Sequence, residues 1–297
     1  MELDGLPPRF TLLQITPRLE AGGVEQATLD IAAAVVRAGG RALVASRGGA
    51  LERELAMAGA RLIRLPVDAK NPFALAVNAA RLARLVRRET VSLVHVRSRA
   101  PAFSALVAAR FTRTPLVATY HGVYGARSGL KRWYNAIMTR GDVVIANSSF
   151  TRDHVLGQHP AARSRLVVIP EGIDTGRFDP AAVSGVRVAA MRRAWGLAAD
   201  DPRVVILLAA RWASWKGHHL IIEALARSAH RKGAVLILAG AGETSERATQ
   251  ARQAADASGL GDSLRIVGPS DDMPAAWLTA DLEIGRASCR ERVYGRV

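Results

Sequence analysis

Cysteine is nearly absent: the 297-residue chain has one, Cys289. A single thiol excludes an internal disulfide framework and a multi-cysteine metal site. Aromatic residues make up only 5% of a chain that is 49% hydrophobic, so its core must be built mainly from Ala, Leu and Val. Lysine is scarce too. Only Lys70, Lys131, Lys216 and Lys232 occur, and arginine supplies most of the positive charge behind a net +15. No apolar run approaches the roughly 18 residues of a membrane-spanning helix. The N-terminus, Met1 to Pro8, carries Glu2 and Asp4 instead of a basic stretch, so no secretory signal is read there and the expected location is the cytoplasm. Several reaction signatures are missing as well. There is no Walker A motif, no Asp-x-Asp pair and no Gly-x-Ser-x-Gly elbow. Metal-dependent phosphate chemistry therefore has no obvious ligand set, and no metal site is expected.

The positive charge is spread along the chain, with one cluster at Arg81, Arg84, Arg87 and Arg88. A basic surface attracts anionic lipid, nucleic acid or phosphorylated small molecules. No RNP-like or zinc-finger pattern accompanies the cations, so nucleic acid is not an expected partner. An Arg-rich, Lys-poor and Ala-rich composition is equally the mark of GC-rich coding DNA.

Short apolar runs alternate with helical patterns along most of the chain, which predicts an α/β fold with parallel sheets covered on both faces. Strands are expected at 10–16, 42–46, 61–66, 93–96, 116–120, 143–147 and 166–169. Helices are expected at 23–38, 51–58 and 72–88, the last with Phe73, Ala76, Val77, Ala80, Leu82 and Leu85 on its apolar face. Pro170, Gly172, Gly176 and Pro180 then break regular structure. A second alternation follows: strand 204–210, helix 218–228, strand 235–239, helix 243–257, strand 264–268 and a short helix 272–279. The expected domains are 1–178 and 179–282.

Chemistry is expected in the loops at strand C-terminal ends, where open α/β sheets bind ligands. Arg211-Trp-Ala-Ser-Trp-Lys216-Gly217 follows an apolar run and precedes an amphipathic segment. Two fixed cations at a helix N-terminus suit a phosphate or diphosphate; two solvated surface cations are the plainer explanation. Gly22-Gly23 precedes a helix and permits close backbone approach by an anion, although a simple turn explains the pair as well and no full G-x-G-x-x-G is present. Tyr120-His121-Gly122 places a histidine at the mouth of the sheet, able to bond a sugar hydroxyl or move a proton, or merely to sit at a core edge. Ser148 or Ser149 reads as a helix N-cap. Gly172 is expected to permit an unusual turn and Asp174 to fix a linker. Gly240-Ala241-Gly242-Glu243 ends a strand and opens a helix, with backbone N–H groups toward a nucleotide or with a tight turn capped by Glu243.

Taken together, these motifs resemble the retaining glycosyltransferases of family 4, of the GT-B fold. The residues that carry the resemblance are Gly22-Gly23, His121-Gly122, Asn147-Ser148, Pro170-Glu171-Gly172-Ile173-Asp174, Arg211 with Lys216-Gly217, and Leu238-Ala239-Gly240-Ala241-Gly242. Leu260-Gly261-Asp262, Ile266-Val267-Gly268 and Ala280-Asp281 follow in order. The resemblance implies two Rossmann-like domains facing a cleft. The second would bind a nucleotide-sugar and the first the acceptor, for which the basic character of the chain favours a glycan or lipid-linked cell-envelope molecule. Arg211 and Lys216 would stabilise the departing diphosphate, His121 would contact the donor sugar, and Gly22, Gly23, Gly240 and Gly242 would complete the donor site. Anomeric configuration would be retained with neither cofactor nor metal. Lys131, Arg132, Trp133 and Tyr134 would form a basic aromatic edge toward an acceptor or an anionic membrane surface at the inner face, unless they are an ordinary amphipathic helix. The alternatives are a nucleotide-sugar epimerase of the same shape and an inactive truncated remnant acting only as a basic binding protein.

The resemblance stops after Asp281-Leu282. Residues 283–297 read like a translated sequencing-adapter tail, so the second domain is expected to be incomplete and the literal chain poorly soluble or inactive. Glu283 and Glu291 have the seven intervening residues of the family's acidic pair. They begin only two positions after Asp281 and follow no apolar strand, so they are not read as that pair.

Overall fold

A computed structural model describes residues 6–20, 22–125, 128–240 and 242–285. They divide into two compact units, which meet in sequence between Gly172 and Ile173.

The first unit holds seven parallel strands: β1 (Thr11–Ile15), β2 (Arg41–Ser46), β3 (Arg61–Arg64), β4 (Leu93–Val96), β5 (Leu116–Tyr120), β6 (Val143–Ala146) and β7 (Leu166–Val168). Their order is β3-β2-β1-β4-β5-β6-β7. Helices α1 (Gly23–Arg37), α2 (Glu52–Met57), α3 (Pro72–Arg88), α4 (Arg99–Thr112), α5 (Gly129–Asn135) and α6 (Ser149–Gln158) connect them. The sheet is buried on both sides, as parallel sheets are. One face packs Leu13, Ile15, Val94, Val96, Ala118 and Tyr120 against α3 and α4 side chains. The other packs Leu12, Ala42 and Val44 against Leu29, Ala32 and Val35 of α1. Strand order reverses between β1 and β4, which makes the ends of these two strands the switch point where ligands bind.

The second unit holds helices α7 (Gly185–Ala194), α8 (His218–Arg227), α9 (Glu246–Ala257) and α10 (Met273–Thr279). Its strands are β8 (Val204–Ala209), β9 (Ala234–Ala239), β10 (Leu264–Val267) and the short β11 (Leu282–Glu283). They pair in parallel in the order β10-β9-β8-β11. Every residue of β9 is buried. Order reverses next to β8, so the loop leaving β8 is the switch point here. Asp281 secures the edge: its carboxylate accepts from the Val205 N–H at 2.8 Å. Glu283 lies within β11 and not beyond it, and Glu291 lies outside the described residues, as does the rest of the tail from 286.

Three sequence-based expectations are corrected. Helix α3 forms over the expected residues, but its buried face is Asn78, Ala79, Leu82, Ala83, Leu85 and Val86. Phe73 is 80% exposed, and Ala76 and Ala80 face outward too. The helix is rotated because it must meet α4: Ser104 donates to the Leu75 carbonyl at 2.9 Å, and Asn78 donates to the Pro66 carbonyl at 2.8 Å. The face so presented buries Leu82, Leu85 and Val86 in the core and leaves Phe73 in solvent. Gly172 has no left-handed backbone, and a side chain there would meet nothing within 4 Å. The Gly240–Glu243 segment does not open a helix directly. Residues 242–244 form a turn, and α9 starts at Glu246 with Ser245 as its N-cap.

Candidate functional site

In the first unit the site begins with a polar stripe inside a buried face. Side chains alternate across a strand, and the register pairs Gln14 with His95 and His95 with Val117. Gln14, His95, Arg97, Thr119 and His121 therefore line up on the α1 side of the sheet, at the C-terminal ends of β1, β4 and β5. Gln14, His95 and Thr119 are each flanked by apolar residues on the opposite face. Buried polar groups need partners, and these have them. Gln14 donates to the Thr28 carbonyl of α1 at 2.8 Å. His95 Nε2 and the Thr119 hydroxyl are 2.7 Å apart. Arg97 donates to the Gln14 carboxamide oxygen from Nε at 3.1 Å and Nη2 at 2.9 Å, and reaches the Ala27 carbonyl at 3.4 Å.

His121 sits at the end of this chain of bonds. Its Nε2 is 3.1 Å from Arg97 Nη1, and its Nδ1 is 2.5 Å from Glu171 Oε1. Both ring nitrogens are engaged and the side chain is almost fully buried. Burial pushes the Arg97 guanidinium down to about 10, while Glu171 and Asp30 act the other way by favouring its charge. Arg97 is therefore charged at neutral pH. Burial, with Arg97 and His121 nearby, holds His95 well below the usual imidazole range, so His95 is neutral.

The expected residues Gly22 and Gly23 stand at the start of α1, near this cluster. Gly22 is the N-cap, and no side chain caps that end. The tight approach in this region is made by a glycine that sequence reading passed over: a Cβ at Gly49 would lie 2.6 Å from the Leu19 carbonyl. Ser148 is the N-cap of α6, accepting from Thr151 N–H at 3.1 Å. Asp174 accepts from Arg177 N–H at 3.0 Å and so closes a turn. On α5, Leu130 and Trp133 are exposed, beside Lys131 and Arg132, while Tyr134 turns inward onto Phe103 with ring centroids 5.3 Å apart.

In the second unit, Arg211 and Lys216 flank the loop between β8 and α8. Ser214–Lys216 form a single 3-10 turn, and Gly217, at φ 77°, enters the left-handed region to start α8. Among the described residues no side chain caps that helix N-terminus, so its first N–H groups are suited to an anion. The loop is braced from inside. His218 stacks on Trp212 with ring centroids 4.1 Å apart, and His218 Nε2 donates to the Ala210 carbonyl at 3.3 Å. Burial lowers the His218 pKa, which suits a neutral ring with its proton on Nε2. Gly240 and Gly242 belong to the same brace. A Cβ at Gly240 would stand 2.2 Å from the Ala210 carbonyl oxygen, and one at Gly242 would be 3.1 Å from Trp212 Cβ. Their smallness lets the two loops pack against each other.

The structure thus groups Gly22, Gly23 and His121 at one end of the first sheet. It groups Arg211, Lys216, Gly240 and Gly242 at the corresponding end of the second. Sequence reading missed Gln14, Arg97, and Glu171 as a partner of His121. A usable signal existed: Val94-His-Val-Arg97 alternates apolar with polar, as Ala118-Thr-Tyr-His121 does. Among the described residues, no group of three or more His, Cys, Asp or Glu is placed to hold a metal ion.

Residues 21–177, more than half of the chain, match the family described as Glycosyltransferase Family 4. The chain belongs to glycosyltransferase family 4. It is 30% identical to a glycosyltransferase from Rickettsia africae ESF-5, with a TM-score of 0.81 over 94% of this chain and 73% of that one. The fold is also that of Anabaena HepE, solved in complex with UDP and glucose, at 23% identity and a TM-score of 0.77 over 93% of this chain and 73% of that one. Among curated relatives, a D-inositol 3-phosphate glycosyltransferase of Salinispora arenicola (strain CNS-205) is 29% identical over 156 residues, 49% of this chain and 34% of the relative. The matched region thus spans about a third of that relative's length. Both units have the α/β architecture of GT-B enzymes.

Proposed function

We propose that this family 4 chain transfers a hexose from a nucleotide diphosphate sugar to a glycan or lipid-linked cell-envelope acceptor, with retention of configuration. The observation that carries the reading is the β8–α8 loop. It holds Arg211 and Lys216 at the switch point of the second sheet, ahead of a helix N-terminus without a side-chain cap. As the bond to the sugar breaks, negative charge grows on the leaving diphosphate. An arginine fork, a lysine and helix N–H groups are suited to that charge, and the reading assigns the work to them without a metal or other cofactor. HepE, a neighbour in fold, was solved with UDP and with UDP-glucose, and UDP-sugars are the first donors to try. Family membership and this loop together favour transfer over epimerisation.

Among the described residues no helix is long and apolar enough to cross a membrane. We assign the chain to the cytoplasm, with peripheral contact through exposed basic positions such as Arg81, Arg84, Arg87 and Arg88 on α3.

The test uses the chain as it stands. UDP titrated by calorimetry is expected to bind, and Arg211→Ala and Lys216→Ala are each expected to weaken binding. Where transfer from UDP-glucose is measurable, each should lower the rate roughly 10²–10³-fold, the usual effect of removing one such electrostatic group. UDP binding of equal strength in wild type and both variants would overturn the reading.

A further inference from the structure

We infer that Arg97 is a positioning residue: it holds His121 in the tautomer with its proton on Nδ1, directed at Glu171. The argument is one of donors and acceptors. A guanidinium has five N–H donors and no acceptor. Where Arg97 Nη1 lies 3.1 Å from His121 Nε2, the ring nitrogen must be the acceptor. The single ring proton is then on Nδ1, 2.5 Å from a Glu171 oxygen that can only accept when ionised. A proton on Nε2 would set two donors against each other.

Arg97 can impose this because it cannot turn away. It is 2% exposed, and two of its nitrogens are tied to the Gln14 carboxamide oxygen. Gln14 is itself oriented by donation to the Thr28 carbonyl, which makes its oxygen the end available to Arg97. The bonds run Thr28 to Gln14 to Arg97 to His121 to Glu171, from α1 across the ends of β1, β4 and β5 to the residue after Pro170. A charged side chain is rarely buried to this depth without such a role. The net effect is a neutral imidazole with fixed orientation and fixed proton, of the kind that a second group commonly enforces on a functional histidine.

The tautomer rests on geometry alone; its kinetic consequence rests on the transferase reading above, so the two fail separately. The test is nitrogen NMR on the full chain with 15N-labelled histidine, His121 being assigned by comparison with His121→Gln. Wild type is expected to show a protonated, pyrrole-type Nδ1 and a bare, pyridine-type Nε2 at neutral pH. With Glu171 still accepting from Nδ1, Arg97→Met should let Nε2 take up a second proton and so move its signal toward the pyrrole-type position, and Arg97→Lys, which keeps a donor, should restore the wild-type pattern. Should Arg97→Met not fold, Gln14→Met removes the carboxamide that aims the guanidinium and is expected to shift the Nε2 signal part of the way in the same direction. In a transfer assay, Arg97→Met should lower kcat by about 10–100-fold, by analogy with the loss of a partner that orients a metal-bound histidine, with Arg97→Lys recovering part of it. A protonated Nε2 in wild type, or a His121 spectrum unchanged in whichever of the two methionine variants folds, would overturn the inference.

Discussion

At the scale of single residues, small size and lost charge do the work. Gly240 is needed because a backbone carbonyl, Ala210, occupies the place of its Cβ at 2.2 Å, and a backbone atom cannot swing aside as a side chain can. Gly240→Ala is expected to cost about 1–3 kcal/mol of stability, as forced overpacking does. Because Arg211 follows Ala210, it should also weaken UDP binding; calorimetry and thermal melts check both effects. His95 gives a second expectation. Its folded pKa lies well below the ordinary 6.5, so the unfolded chain takes up a proton that the folded chain refuses. Stability is therefore retained above 6.5 and falls as pH drops through the window beneath it. His95→Gln should flatten the fall between pH 7.5 and pH 5.5 in urea melts; equal slopes in the two proteins would count against it.

At the scale of elements, α3 separates what periodicity shows from what packing decides. Its length and its Pro72 start were legible; the structure adds the N-cap, Asn71, whose side chain accepts from Ala74 N–H at 2.7 Å. Its orientation was not, because apolar residues occur on more than one side and only α4 selects the buried one. Leu82→Ala is expected to lose about 2–5 kcal/mol, whereas Phe73→Ser should change stability by no more than about 0.5 kcal/mol. A comparable loss at both positions, measured by chemical denaturation, would contradict the observed face. The end of α3 adds a pH effect. Glu89 closes the helix among Arg41, Arg61 and Arg88, and bonds from Arg61 and then Arg41 hold its carboxyl at about 2 against an ordinary 4.5. Its contribution is complete above 4.5 and disappears as pH falls toward 2. Glu89→Gln should thus melt lower than wild type at pH 6, with the gap closing in acid.

At the scale of the whole molecule, two parallel sheets, each with its own cores on both faces, make two units of one architecture. The division at Gly172–Ile173 leads into residues 172–177, which are exposed throughout and include Arg177. Exposed segments outside helices and strands are the preferred places for proteolytic nicking. Limited trypsin treatment is expected to cut early after Arg177, read by mass spectrometry of the first fragments. First cuts confined to the helices would contradict the division.

The sequence by itself determined the α/β class, most strand positions and the family, because these depend on local period and on motif order. It also pointed to the loop carrying Arg211 and Lys216, since cations between an apolar run and an amphipathic helix are a local pattern. Only the tertiary structure decided who meets whom. Gln14, Arg97, His121 and Glu171 are scattered along the chain, and strand register together with the loop that follows β7 brings them into one line of hydrogen bonds. Gly240 likewise shows the backbone it packs against, the Ala210 carbonyl, only once the neighbouring loop is in place. Such contacts depend on which strands pair and which faces close. Those outcomes are set by the summed burial and polar satisfaction of the whole unit, which no short window of sequence contains.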